Sequence, residues 1–171
     1  MSDLLINRQR PFDFQPYAPN ANCSEITPYS IGEHDERMTS LLSIDPDRIL
    51  LVSMLHDDEE MITSKENLKR MKEENFIRLD HFAFRTVWEN QYVLPSRWVS
   101  EVKQEGSWPN LSYGWIYFDG VVFVDCNGFT QVLRMRWDDG CWFRQLAWRG
   151  DGWAGGAGNR KKRHFSAVYP L

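Results

Sequence analysis

The clearest pattern in the chain is an alternation of apolar and polar positions after residue 111, broken by short turn sequences. Three dipeptides, Asp119-Gly120, Asn127-Gly128 and Asp139-Gly140, are of the kind that closes two-residue β-hairpins. The strand-like runs around them are 112–118, 121–126, 129–138 and 141–149. We therefore predict an antiparallel β-meander of four strands, with a fifth over 164–169.

Two-residue turns also set a register for this meander, because pairing is counted outward from each turn. Counting from Asp139-Gly140 makes Trp137 and Trp142 a cross-strand pair. Counting from the two earlier turns places Tyr117 on the same face as Leu133. The predicted core face is apolar along nearly its whole length.

The N-terminal half is predicted to be mainly helical after an extended arm. The arm, 1–32, contains Pro11, Pro16, Pro19 and Pro28 with aromatic residues between them, a composition that opposes helix and central strand. It can lie on its own domain or on another molecule, and we favour the first. The segments that follow are a short helix at 33–42, an apolar run at 48–55 of either type, a helix at 56–75 and a further helix at 76–90.

The predicted fold class is thus α+β, with a helical N-terminal half packed on a C-terminal antiparallel β-meander of four or five strands. We expect one domain over 1–171: an extended Pro-rich arm, a mainly helical part at 33–100, and a meander at 111–171 that carries a Gly-rich loop and a basic stretch. A chain of 171 residues with 42% hydrophobic and 26% charged residues can bury such a core.

Composition narrows the class of protein. No apolar run approaches the roughly 20 residues of a membrane span, and the first residues lack a signal-peptide core. Three widely spaced cysteines without a CxxC pair indicate free thiols. We expect a cytoplasmic protein without a cofactor.

Charge is unevenly distributed along the chain. Residues 1–75 contain 15 acidic and 8 basic residues (net −7), and residues 76–171 contain 9 and 12 (net +3), which together give −4. Such asymmetry can steer a partner or hold the two halves together.

The residues Trp88-Glu89-Asn90, Leu94-Pro95 and Trp98, followed by FDG at 118–120, WDDG at 137–140 and Trp148, form an ordered series. This series resembles a set of small, uncharacterised bacterial proteins over about half the chain. The resemblance supports the meander and implies no activity. A second likeness, Leu79 to Thr86 (LDHFAFRT), looks like the opening strand of vicinal-oxygen-chelate enzymes, which would make His81 a metal ligand.

Other catalytic patterns are missing from the sequence. The four histidines are not spaced as HxH or HxxxH pairs, and no GxSxG or P-loop motif occurs. Paired aspartates in the meander suggest acid–base chemistry, but several stand at Asp-Gly positions, where the backbone favours Asp. A histidine beside Phe82 and Phe84 is also more typical of a core residue.

The best candidate for binding is a basic, aromatic region in the C-terminal third. Its predicted residues are Trp108, Arg134, Arg136, Arg149, Trp153, Arg160, Lys161, Lys162 and Arg163. Charge and exposed tryptophan together suit a protein interface, and basic residues beside aromatic ones also suit single-stranded nucleic acid.

Three functions follow as hypotheses. The first is a non-enzymatic protein-binding protein, such as an inhibitor-type accessory protein of a phage or mobile element. The alternatives are nucleic-acid binding through the basic loop, and a small metal-dependent enzyme centred on His81.

Overall fold

Strands run through both halves of the protein. The computed structural model describes residues 3–13, 30–56, 59, 62–104, 112–125, 127–148 and 165–171. Within them the strands are β1 (Leu4–Leu5), β2 (Ser30–His34), β3 (Ser43–Ile44), β4 (Leu50–Val52), β5 (Phe76–Arg78), β6 (Lys103–Gln104), β7 (Ser112–Tyr113), β8 (Ile116–Val124), β9 (Thr130–Asp138), β10 (Cys141–Trp148) and β11 (Phe165–Pro170). The helices are α1 (Ser64–Glu73), α2 (His81–Glu89) and α3 (Arg97–Val102), with 3₁₀ turns at Glu36–Ser40 and Gln91–Val93.

The main sheet is mixed and, in the described residues, has seven strands. Its order is β10-β9-β8-β11-β4, with β2 also paired to β8 and β5 to β11. The β11–β8 pair is parallel and the other pairs are antiparallel. The prediction of a helical N-terminal half on a four- or five-stranded antiparallel meander is therefore wrong, because β2, β4 and β5 of that half belong to the sheet.

The strands of the N-terminal half are short: β2 has five residues, and β4 lies in the run 48–55 that the sequence left open between strand and helix. β4 and β5 have three residues each, too few for a period-2 pattern to appear. The segment 76–90, predicted as one helix, is β5 followed by α2. The boundary is Asp80, whose side chain accepts a hydrogen bond from the amide of Ala83 at 2.9 Å and caps the helix.

Asp119-Gly120 is not a hairpin turn. The strand β8 continues through it, and its pairing with β9 is shifted between Phe118 and Phe123. Gly120 instead packs on the end of β5: its amide donates to the carbonyl of Leu79 at 2.9 Å. The shift places Tyr117 opposite Arg134, so Tyr117 lies on the outer face of the sheet and not with Leu133.

The hairpin at Asp139-Gly140 is confirmed. Both residues have positive φ, 44° and 85°, as a type I′ turn requires, and Trp137 pairs with Trp142. The closing strand is confirmed as β11, although it lies between β8 and β4 inside the sheet. At Asn127-Gly128 the turn is longer than predicted, since the amide of Asp125 donates to the carbonyl of Phe129.

The core fills the space between the inner face of this sheet and helices α2 and α3. Phe84 of α2 meets Phe118 edge to face at 4.9 Å between ring centroids, and Trp98 of α3 meets Trp142 in the same way at 6.3 Å. Phe84, Phe118 and Trp98 have no exposed surface. Among the described residues, no helix is long and apolar enough to cross a membrane.

Candidate protein-interaction surface

The structure describes two of the nine predicted binding residues. Arg134 and Arg136 lie on β9, on the outer face of the sheet. The other seven lie outside the described residues: Trp108, Arg149, Trp153, Arg160, Lys161, Lys162 and Arg163.

Arg134 and Arg136 both contact the ring of Trp115. The guanidinium carbons lie 3.9 Å and 4.8 Å from the ring centroid. Such cation–π contacts hold the two side chains against the sheet and keep part of each guanidinium in contact with water. The sequence spacing of alternate residues on one strand predicts that the two arginines share a face, but it does not predict Trp115 beneath them.

Polar contacts orient the two guanidinium groups further. Arg134 donates to the hydroxyl oxygen of Tyr117 at 3.1 Å and to the side-chain carbonyl of Gln145 at 2.7 Å. Arg136 forms an ion pair with Asp138 at 2.8 Å. This cluster, which we call the arginine pair, is therefore an ordered surface that has, among the described residues, one more cation than carboxylate.

The strand β10 forms one end of the sheet. In the described part of the chain, β9 is its one strand partner. Counting from the type I′ turn, Phe143, Gln145 and Ala147 are the hydrogen-bonded partners of β9. The backbone N–H and C=O groups of Trp142, Arg144 and Leu146 consequently point away from β9, along the outer edge of the sheet.

A groove opens beside the first residues of β10. Its volume is about 760 Å³, within the range of ligand-binding clefts. One wall is the segment that leads into α3, and the other is the β9–β10 hairpin. The lining residues are Gln91, Tyr92, Leu94, Pro95, Ser96, Val99, Ser100, Trp137, Gly140, Cys141 and Trp142.

Three of the eleven residues that line this groove are aromatic. Trp137 and Trp142 meet nearly edge to face, with ring centroids 5.3 Å apart. Tyr92 stands at the rim with 80% of its surface exposed. Sequence reasoning missed the groove because its walls, 91–100 and 137–142, meet only in the folded chain; the richness in tryptophan was the available signal.

His81, the candidate metal ligand, is buried in the first turn of α2. Its ring centroid lies 4.0 Å from that of Phe82, 5.0 Å from that of Phe12 and 5.4 Å from that of Phe123. Among the described residues, no three His, Cys, Asp or Glu side chains are grouped so that they could hold a metal ion. The observed neighbours give His81 a packing role.

Residues beside His81 also bind the N-terminal segment that follows β1. Asp80 accepts a hydrogen bond from Arg8 at 2.7 Å, and Arg85 donates to the carbonyls of Asn7, Arg10 and Pro11. In the sequence LDHFAFRT, Asp80 thus caps α2, His81 packs against aromatic rings, and Arg85 holds the N-terminal segment.

Burial of His81 predicts a pH-dependent stability. Burial lowers the pKa of His81 from 6.5 to about 4; the negative charge of Asp80 opposes this shift, and the positive charges of Arg8 and Arg85 add to it. Below pH 6.5 the unfolded chain binds a proton that the folded protein excludes, so the free energy of unfolding falls as pH falls from 6.5 to about 4. The total loss is about 3 kcal/mol.

Urea denaturation at pH 7 and pH 5 would measure this effect, and His81→Gln is the variant to compare. The wild type should lose more stability than the variant between the two pH values. An equal loss in both proteins would contradict the assignment to His81.

The aspartates of the meander hold backbone in place. The Asp125 carboxylate accepts hydrogen bonds from the amides of Asn127 and Phe129 and from the side chain of Gln131. Asp119 is fully buried and accepts a hydrogen bond from the hydroxyl of Ser166 at 2.9 Å. These contacts favour the structural interpretation of both residues over acid–base chemistry.

Comparison with known proteins gave no match to a family model, to a curated protein or to a solved structure. Function must therefore be argued from the edge of β10, the groove and the arginine pair.

Proposed function

We propose that this protein binds an extended segment of another protein along the outer edge of β10. The observation that carries the proposal is the row of backbone donors and acceptors that Trp142 and Leu146 present on the side of β10 opposite β9, where the described residues place no further strand. An added strand satisfies such groups with main-chain hydrogen bonds, which is the general mode of β-augmentation.

The groove supplies the second part of this binding mode. It begins at Gly140, Cys141 and Trp142, where β10 starts, so a strand lying on β10 reaches it directly. Its aromatic walls suit an apolar side chain of the bound segment. Main-chain pairing then gives affinity, and the groove selects the sequence.

The sequence of β10 itself contains few of the residues that usually prevent pairing. The strand contains eight residues, CWFRQLAW, with one charged residue and no proline. Natural edge strands are commonly blunted by lysines, prolines or bulges. An eight-residue apolar edge is suited to pairing with a partner.

Replacing Arg144 by proline is expected to weaken binding. Proline removes the outward N–H at this position and leaves the pairs of Phe143 and Gln145 with β9 intact. We expect about tenfold weaker binding or more, from one lost hydrogen bond and the bulk of the ring. Arg144→Ala is the matched control, since it removes the same side chain and keeps the N–H.

The measurement is capture from a nuclease-treated lysate of the native cells, with wild type, Arg144→Ala and Arg144→Pro as baits and quantitative mass spectrometry as readout. A protein recovered with wild type and Arg144→Ala but depleted with Arg144→Pro supports the proposal, provided that all three baits melt cooperatively. Equal recovery with all three baits would contradict it. Recovery that disappears with nuclease would indicate nucleic acid instead.

A further inference from the structure

We propose that the arginine pair on Trp115 binds a carboxylate group from an acidic segment of a partner protein. This inference rests on the proposed function only in assigning the carboxylate to a protein partner. It concerns Arg134 and Arg136 of β9, on the outer face of the sheet, and not the edge of β10.

The first argument is charge. Two guanidinium groups share the ring of Trp115, at 3.9 Å and 4.8 Å from its centroid. Among the described residues, Asp138 is the one carboxylate paired with them, and Arg134 is held by the neutral groups of Tyr117 and Gln145. A carboxylate placed here would balance a cation that the described structure leaves uncompensated.

The second argument is that two hydrogen-bond donors of the arginine pair have no acceptor among the described residues. The Nε atoms of Arg134 and Arg136 are both shielded from solvent and have no hydrogen-bond acceptor in the described structure. A shielded donor without an acceptor gains more from an added oxyanion than a hydrated one does. The planar fork of a guanidinium also matches the two oxygens of a carboxylate.

The third argument is that the side chain of Arg134 is already held in one position. Stacking on Trp115 and the bonds to Tyr117 and Gln145 already restrict the side chain of Arg134. Binding therefore costs little further side-chain entropy. Long, freely rotating cations on a surface do not have this advantage.

Neighbouring residues favour a protein segment over nucleic acid. Phe143, which pairs with Arg136 across the hairpin, has 46% of its surface exposed and offers an apolar contact beside the charges. The ring of Trp115 is already in contact with two guanidinium groups, whereas nucleic-acid sites need free aromatic surface for stacked bases.

The test is a titration followed by ¹H–¹⁵N NMR, with a glutamate-rich octapeptide as probe. The side-chain Nε–H signals of Arg134 and Arg136 and the indole N–H signal of Trp115 are expected to shift together. In Arg134→Gln/Arg136→Gln the apparent Kd should rise about tenfold, the loss of one charge-assisted bidentate contact. Arg48→Gln is the control, because Arg48 also lies over an aromatic ring, that of Tyr169 at 4.9 Å, but belongs neither to the arginine pair nor to β10.

Several results would overturn the inference. These are unchanged signals at the arginine pair, equal weakening in Arg48→Gln, saturation by inorganic phosphate at the same concentration as the peptide, or tighter binding of an oligothymidylate of equal charge. Arg144→Pro should leave this titration unchanged. The experiments can therefore refute strand addition on β10 and carboxylate binding at the arginine pair independently of each other.

Discussion

Gly120→Ala is expected to lower the free energy of unfolding by roughly 3–5 kcal/mol, as a methyl group forced into rigid, well-packed backbone does. A Cβ atom at this position would lie 2.1 Å from the carbonyl oxygen of Arg78 and 2.6 Å from the carbonyl carbon of Leu79. Backbone cannot move aside as a flexible side chain does. The hydrogen bonds of Gly120 to Leu79 and Asp35, at 2.9 Å and 2.7 Å, would be pushed apart as well.

Gly128→Ala is the matched control for this experiment. Gly128 has φ of 81° but no atom within 4 Å of its Cβ position, so the substitution costs only the left-handed backbone, about 1 kcal/mol. Urea denaturation of both variants gives the comparison. If Gly120→Ala were no more destabilising than Gly128→Ala, the close approach of β8 to β5 would be refuted.

Arg78→Met is expected to cost roughly 3–5 kcal/mol, the range found when one partner of a buried ionic network is removed. Arg78 is 2% exposed and donates to the carbonyl of Asp119 at 3.0 Å and to Glu33 at 3.2 Å. Methionine keeps most of the volume but leaves that carbonyl without its donor. The carboxylate of Asp35, which is 6% exposed, would keep its ion pair with Arg37. It would lose the guanidinium of Arg78, whose Nε lies 3.7 Å from it in the wild type.

An exposed ion pair of the same type provides the reference. Arg10 and Glu89 are joined at 2.8 Å with 62% and 48% of their side chains exposed, and such pairs contribute less than about 1 kcal/mol. Arg10→Met should therefore change the denaturation midpoint little. Similar losses in Arg10→Met and Arg78→Met would show that the buried network does not stabilise the fold as its geometry implies.

The parts of the fold that depend on local chemistry could be predicted from the sequence. Asp139-Gly140 closes a hairpin because both positions accept positive φ without help from distant residues, and the Trp137–Trp142 pair follows by counting. The helix at 64–73 lies within the predicted 56–75, but its N-cap was not predicted: this is Thr63, whose hydroxyl accepts from the amide of Glu66.

The parts that depend on distant contacts could not be predicted in this way. Asp119-Gly120 has the composition of a turn, yet its glycine is required by the backbone of Arg78 and Leu79, some forty residues earlier. β5 is a strand because it pairs with β11, which its three residues do not reveal. Counting from a supposed turn at Asp119-Gly120 therefore assigned residues of β8, such as Tyr117, to the wrong face of the sheet.

In the candidate site, too, some features follow from the local sequence and others depend on distant contacts. Arg134 and Arg136 were predicted as binding residues from charge alone, and the structure adds Trp115, Tyr117 and Gln145, which orient them. The position of β10 depends on the strand order, which places β11 next to β8 and, among the described strands, leaves β10 at the end of the sheet. No local pattern contains that information.

Amide hydrogen exchange along β10, measured by NMR on the full chain alone and with its captured partner, tests the proposed function most directly. In the free protein the amides of Phe143, Gln145 and Ala147 should exchange slowly and those of Trp142 and Leu146 quickly, because only the first set pairs with β9. Adding the partner should slow the second set to the rate of the first. Slow exchange of both sets in the free protein, or fast exchange of Trp142 and Leu146 in the complex, would contradict binding by strand addition.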